Sequence, residues 1–585
     1  MQRLCTAALL LMLLVRTAEG QNALTAQQRV ADLNQLSAFY AKNYAPYEWK
    51  RGVFGFDLLN LTPWLFRIHN ADDLQFQEVL IDYVASLNDA HDYIAFPTTF
   101  SVSLPLSVDI YDGKVLVDAL ISSVFPGVAR GDELVSVDGH PVGELIRAFR
   151  KYAIAANPRS TDRIAASRIV SRSQQIMPHI PSLGDTAAVV IRSANTGVET
   201  TYQVPWSKSG IPITSEGPVP SPRFGRFFSR TQVSSEADWT AVGGTSTSVY
   251  QLGNVDVVDN TLPAYTQPIQ RLMNAAVATD YYSVLNFGGR FPIYAPPAGF
   301  VLRLGGQTTD FFLSGTYVSN GVRIGLIRIP TMSPPNVALA LQQLDQEIAY
   351  FNDNTDGLII DVMRNPGGVV SFVESISQRF IPTPFRTLGY EIRATAAWLF
   401  SFASQLTAAK ASNAPPEIIQ NLTNNFDEVF RAYNENRGRS APVSLNPTGS
   451  LLLQPATVTY KKPLMVLVDE FSASGADAFP AIIQDNHRGP IFGIRTMGAG
   501  GTVVGFNATA YTESFFRVTV SLMNRANPVQ VPGFPAAPYI ENIGVLPDKT
   551  ADIMTRENLL NQGKAFVRGF SDAMVEHVNS QGANQ

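Results

Sequence analysis

Two stretches of this 585-residue sequence combine residue types that can polarise and attack a carbonyl group. In the first, an apolar run at 464–468 ends at Asp469-Glu470 and is followed by Phe471-Ser472-Ala473-Ser474-Gly475-Ala476-Asp477. A serine at such a strand-to-helix junction holds its hydroxyl out at the sheet edge, and the N–H of the next residue, Gly475, points at any oxyanion it generates. The helix N-terminus adds positive potential there. Taken alone, a serine between small residues is more often a helix cap than a nucleophile. The second stretch is Asn365-Pro366-Gly367-Gly368, directly after an apolar run at 358–362. Paired glycines after a buried strand let backbone N–H groups face a ligand, so Gly367 or Gly368 with Gly475 would complete an oxyanion hole. Alone, this motif reads equally as a tight turn.

Both motifs together, in this order, resemble the C-terminal-processing (tail-specific) peptidases of family S41. The text Ser472-Ala473-Ser474-Gly475-Ala476-Asp477 is similar to the family's serine motif, and Asn365 to Gly368 matches its N-P-G-G. The resemblance implies a crotonase-like α/β catalytic domain, with Ser474 as the nucleophile of a peptide-cleaving serine endopeptidase. One departure bears on mechanism. The better-known branch carries a general-base lysine in T-F-G-K-G, whereas Thr496-Met497-Gly498-Ala499-Gly500 has alanine in that place.

A hydroxyl at neutral pH still needs a base, and histidine has the suitable unperturbed pKa. Of the six histidines, His487 lies about 18 Å of helix rise beyond the serine, and His140 belongs to a hairpin turn. Leu87-Asn88-Asp89-Ala90-His91 has the L-x-D-x-H form of the histidine-using branch, that of the chlamydial protease-like activity factor, whose triad is Ser/His/Glu. Gln484-Asp485-Asn486, Gly498 to Gly501 and Ile540-Glu541-Asn542-Ile543-Gly544 strengthen that likeness. The resemblance therefore assigns His91 as base and Glu541 as the carboxylate that orients it. A histidine base leads us to expect a rate that rises through an apparent pKa of about 6 to 7.5. A different class of reading, a non-catalytic relative that binds peptides or other ligands in the same cleft, is favoured less because serine, glycines, histidine and glutamate are all retained.

The surrounding elements follow from pattern. Thr25-Ala26-Gln27-Gln28 has capping-box form before Val30, Leu33, Leu36 and Phe39, and a second helix is written by Leu74 to Leu87. Residues 21–100 thus read as a helical domain that carries the base. From 101 to 207 short β runs and the turn Asp138-Gly139 resemble a PDZ-like domain, with an Arg-rich helical insertion. Residues 208–320 read as a Ser/Thr/Gly/Pro-rich linker and a β segment. From 321 to 575, apolar strands alternating with helices predict a largely parallel sheet covered on both faces. A helical hairpin broken at Pro415-Pro416 is inserted near 396–440. The fold class is accordingly α/β and multidomain.

Composition narrows the partners. A net charge of -5 and the lack of a long Lys/Arg run give no electrostatic case for nucleic acid or an anionic membrane. The mean hydropathy is near zero, at +0.03. Residues 1–20, with Arg3, an apolar run and small residues at Ala18 and Gly20, predict a cleaved signal peptide and a secreted or periplasmic protein without stable membrane insertion. The single cysteine, Cys5, lies inside that signal, which excludes disulfides and cysteine chemistry from the mature chain. The expected partners are peptide or protein substrates, with no cofactor and no metal.

Overall fold

The computed structural model describes residues 23–213 and 285–582, apart from 97, 508, 510 and 513. The expected signal peptide and most of the expected linker lie outside the described residues. Among the described residues, no helix is long and apolar enough to cross a membrane.

Residues 301–550 are built on a seven-stranded sheet. Its strands, in spatial order, are Val301–Leu304, Leu313–Ser319, Val322–Arg328, Gly357–Asp361, Leu464–Val468, Ile491–Gly493 and Lys549–Thr550. The first two pairings in this order are antiparallel and the other four are parallel. Alternate side chains enter opposite cores. Ile327, Leu358, Ile360, Val466 and Val468 pack with helices Val337–Asn354, Val370–Phe380 and Gly475–Asp485. Leu326, Ile359, Met465 and Leu467 pack instead with Phe566, Phe570 and Met574 of the C-terminal helix Lys564–Gly582. Covering both faces explains why these strands read as unbroken apolar runs. The hairpin insertion forms helices Ala396–Ala411 and Pro416–Asn434.

The N-terminal helices form as their caps predict. Thr25 and Gln28 make a capping box for Ala26–Asn43, and Asp72 and Gln75 make another for Asp73–Ala85. They do not, however, enclose a core of their own. Leu33, Leu36, Tyr40, Phe76, Leu80 and Tyr83 belong to the same apolar core as the seven-stranded sheet. Tyr40 stacks on Phe516 at 5.7 Å and donates to the Arg517 carbonyl at 2.8 Å. The short strand Ile94–Ala95 pairs with Phe515–Thr519. The four N-terminal helices bury too little surface to stand alone, and this docking brings the His91 loop to a separate three-stranded sheet, Ile94–Ala95 with Phe515–Thr519 and Val503–Asn507.

Six antiparallel strands, Leu106–Tyr111, Lys114–Leu120, Glu133–Val137 with the short His140–Pro141 beside it, Thr186–Arg192 and Glu199–Pro205, make the main sheet of the intervening β domain. Asp138 and Gly139 both take positive φ, 53° and 77°, as a tight hairpin requires. The Arg-rich stretch expected as an insertion is integral instead. Ala166, Ile169 and Val170 of helix Pro158–Val170 pack in the same core as Val108, Val117 and Leu134. Its Arg163 is buried because it pairs with Asp109 of the β domain and with Glu470, at 2.8 Å, just before the serine turn.

Candidate active site

Strand Leu464–Val468 delivers the chain to the sheet edge, and helix Gly475–Asp485 leaves it. Between them Ser474 adopts φ 55° and ψ -112°, a conformation that costs a non-glycine residue energy and persists only where its surroundings impose it. Three contacts impose it here. Ala473 N–H donates to the Asn365 carbonyl at 3.0 Å. Gly367 lies directly behind the serine, so close that a Cβ there would sit 2.6 Å from Ser474 Cβ and 2.7 Å from the Gly475 nitrogen. Asp477, one turn into the helix, accepts the Ser474 N–H at 2.7 Å.

Asp477 does more than cap. Its carboxylate also accepts the N–H groups of Gly498 and Ala499, at 2.9 and 3.0 Å, and the hydroxyl of Thr496. Burial raises its carboxyl to about 6, against the pull of these donors. It thus ties the serine turn to the 496–499 loop where the other branch carries lysine. The helix continues through Pro480, which has no N–H to donate to the Ala476 carbonyl.

The glycine pair divides its work. Gly367 N–H donates to Asn365 Oδ1 at 2.8 Å, which engages that amide within its own turn. Among the described residues no partner takes the amides of Gly368 and Gly475, so these two remain as donors.

His91 stands on the loop after helix Asp73–Ala85, where Asn88 turns the chain at φ 50°. Asp89 Oδ1 accepts the His91 backbone N–H at 2.9 Å, and Asp89 Oδ2 accepts the Tyr44 hydroxyl at 3.0 Å. Asp92 Oδ1 accepts the Thr519 N–H at 2.9 Å, fixing the loop to strand Phe515–Thr519. The ring nitrogen Nδ1 of His91 is buried without a hydrogen-bond partner. Burial pushes its pKa down to about 4, helped by Arg517 and Lys50 and opposed by Asp89. The imidazole is therefore neutral at physiological pH.

Glu541 is fully buried. It accepts the Gly500 N–H at 2.8 Å on one oxygen and the ammonium of Lys50 on the other. A Cβ at Gly500 would lie 2.1 Å from the Glu541 nitrogen, so only glycine permits this approach. Burial and the neighbouring Asp89 push the Glu541 carboxyl up to about 8, while Lys50 pulls the other way.

The fold brings most of the expected residues together. One side-chain ligand atom each from Asp89, His91 and Glu541 lies within 4.8 Å of the others. Ala90, next to His91, packs on the cluster that holds Ala473, beside Ser474, and Ala499. No hydrogen bond joins Ser474 Oγ to His91 among the described residues, in keeping with the looser contacts of a site without substrate. His487 falls just beyond helix Gly475–Asp485, and His140 in the hairpin strand His140–Pro141. Sequence reasoning missed three participants, Lys50, Asp89 and Asp477. Asp89 stood inside the quoted L-x-D-x-H text, and Asp477 inside the serine motif. Nothing local marks Lys50.

Comparison with known proteins agrees with this architecture. Residues 323–548 match the model of peptidase family S41, and residues 100–212 that of a PDZ domain. A protein of Chlamydia trachomatis serovar D is 25% identical over 564 residues, covering 90% of this chain and 88% of its own. One of Chlamydia pneumoniae is 26% identical over 571 residues, covering 90% and 86%. Mature CPAF in complex with lactacystin superposes with a TM-score of 0.72 at 20% identity, over 95% of this chain and 99% of that one. Mature CPAF alone gives the same TM-score at 20% identity, over 95% and 98%. The chain thus carries a peptidase family S41 domain and a PDZ domain, joined in the fold of mature CPAF.

Proposed function

We propose that this protein is an exported serine endopeptidase that hydrolyses peptide bonds through an ester on Ser474. The observation that carries the reading is the neutral imidazole of His91, half-buried with its inward Nδ1 unpartnered, grouped with Asp89 and Glu541 within 4.8 Å. Such an imidazole is ready to accept a proton, and nearby carboxylates stabilise the imidazolium that results.

In this reading Ser474 Oγ attacks the substrate carbonyl and gives its proton to His91. The oxyanion accepts hydrogen bonds from the Gly475 and Gly368 amides, and helix Gly475–Asp485 adds its positive end. Collapse breaks the C–N bond, and the amine leaves with the proton held by His91. Water then attacks the ester by the same path in reverse, restoring Ser474. Glu541, within 4.8 Å of the imidazole, offsets its positive charge. Export rests on the signal-like residues 1–20, and peptides or proteins are the substrates that the S41 domain supports.

The test is hydrolysis of a peptide by Ser474→Ala. The variant should fold, since losing a cap residue costs about 0.5 to 2 kcal/mol, and should not turn over. Undiminished turnover by the folded variant would remove the assignment.

A further inference from the structure

We propose that Lys50 is a positioning residue of this site, whose ammonium favours the carboxylate form of Glu541 and clamps the His91 loop onto the Glu541 turn. The inference rests on the triad reading above and deepens it.

Lys50 lies on helix Tyr47–Phe54, and both its side chain and that of Glu541 are 0% exposed. An ammonium has three protons to donate, and here it meets three acceptors: the Asn88 carbonyl at 2.8 Å, Asn542 Oδ1 at 2.7 Å and Glu541 Oε1. These belong to the loop that carries His91 and the turn that carries Glu541. Asn542 closes the arrangement by donating to the same Asn88 carbonyl at 2.9 Å, and Trp49, beside Lys50, donates to Asn542 Oδ1 at 3.1 Å. Asn88 and Asn542 both hold positive φ, 50° and 64°, so the lysine joins two turns that are costly to form unsupported.

Charge gives the second half of the argument. Asp89, Asp92 and Glu541 are all buried in this interior, together with Tyr40 and Tyr44 and beside the half-buried His91. Asp89 is served by Tyr44 and a backbone N–H, and Asp92 by Thr519. Arg517 acts on the His91 side of the group. Only Glu541 receives the ammonium. Without it, a buried carboxyl beside Asp89 would hold its proton to still higher pH, and a protonated Glu541 cannot offset an imidazolium. The lysine of this active site therefore serves as a counter-ion, in a chain whose residue 499 is alanine.

The experiment is the pH dependence of peptide hydrolysis by Lys50→Met, Glu541→Gln and the double variant, with Ser474→Ala and His91→Ala alongside. Removing the cation stabilises the protonated form of Glu541 and also of His91, so both effects move the acid limb the same way. In Lys50→Met that limb should shift upward by about one pH unit or more, with a loss of about tenfold at neutral pH that recedes in alkali. A residue that only holds the fold would lower the rate equally at every pH. Because Lys50 acts through Glu541, the double variant should match Glu541→Gln within about twofold. That comparison also serves if Lys50→Met does not fold, since the double variant leaves no buried charge of this pair unpaired. An unmoved limb in folded Lys50→Met, or a double variant far slower than Glu541→Gln, overturns the proposal. If those results appear while Ser474→Ala and His91→Ala are inactive, only the role of Lys50 falls. Activity in Ser474→Ala would remove the triad reading itself.

Discussion

The ammonium of Lys50 and the carboxylate of Glu541 meet in the protein interior, although 491 residues separate them along the chain. The contact ties the N-terminal helices to the turn that carries Glu541. It also places the charge of Glu541 at the centre of the pH behaviour.

With the imidazole of His91 held near 4 and the Glu541 carboxyl near 8, the pair retains one proton between these values. Its loss leaves a neutral base beside an ionised carboxylate, the competent state, and the apparent pKa belongs to the pair. The rate should therefore rise with pH through about 8, above the range of about 6 to 7.5 that an unperturbed histidine leads one to expect. Glu541→Gln should abolish this limb and lower the plateau. A wild-type profile that levels off below neutrality would contradict the account, and kcat/KM measured from mildly acid to alkaline pH decides it.

Gly367 offers a steric test. A methyl there would press on Ser474 Cβ and the Ala473 carbonyl at 2.6 Å, at a φ of 93° that side chains rarely adopt. Gly367→Ala should displace the serine turn and lower kcat by about a hundredfold or more, since small misplacements of reacting groups cost about that much. Gly52→Ala is the control, because a Cβ there meets nothing within 4 Å. It should leave activity unchanged and melt no lower than the parent. Parallel activity assays and melting curves separate the two effects.

Ala499 is 2% exposed and packs with Ala473, Phe471 and Met497, against Ala90. Ala499→Lys would force a long charged chain into this filled space, with an overpacking cost of about 1 to 3 kcal/mol, and add a cation near His91 that disfavours the imidazolium. We expect reduced peptide hydrolysis and no rescue of His91→Ala. Near-native rates in Ala499→Lys/His91→Ala would mean that a serine–lysine dyad still fits, against a histidine base.

These features differed in how far the sequence revealed them. The strands around Ile359 and Val466 were legible because both faces are covered, which writes an uninterrupted apolar run. Helix starts at Thr25 and Asp72 are local events, set by side chains within one turn. Where an amphipathic face docks is not local, so the merger of the Tyr40 and Tyr83 helices with the catalytic core could not be read from their periodicity. Buried charges were the least legible. Lys50 and Arg163 look like surface residues in the sequence, and only partners far along the chain, Glu541 for one and Asp109 with Glu470 for the other, make their burial tolerable. Gly367 was expected as a donor, but its amide engages Asn365, a detail fixed by the side-chain rotamer of one residue.

The central claim is that Ser474 is a nucleophile activated by His91, and covalent labelling by a fluorophosphonate, located by peptide mass spectrometry, tests it most directly. The account predicts one modified residue, Ser474, in the native protein, no labelling in Ser474→Ala, and labelling slowed by about a hundredfold or more in folded His91→Ala, the scale expected for loss of a general base. Failure of the native protein to label at Ser474, or equal labelling rates with and without His91, would contradict it.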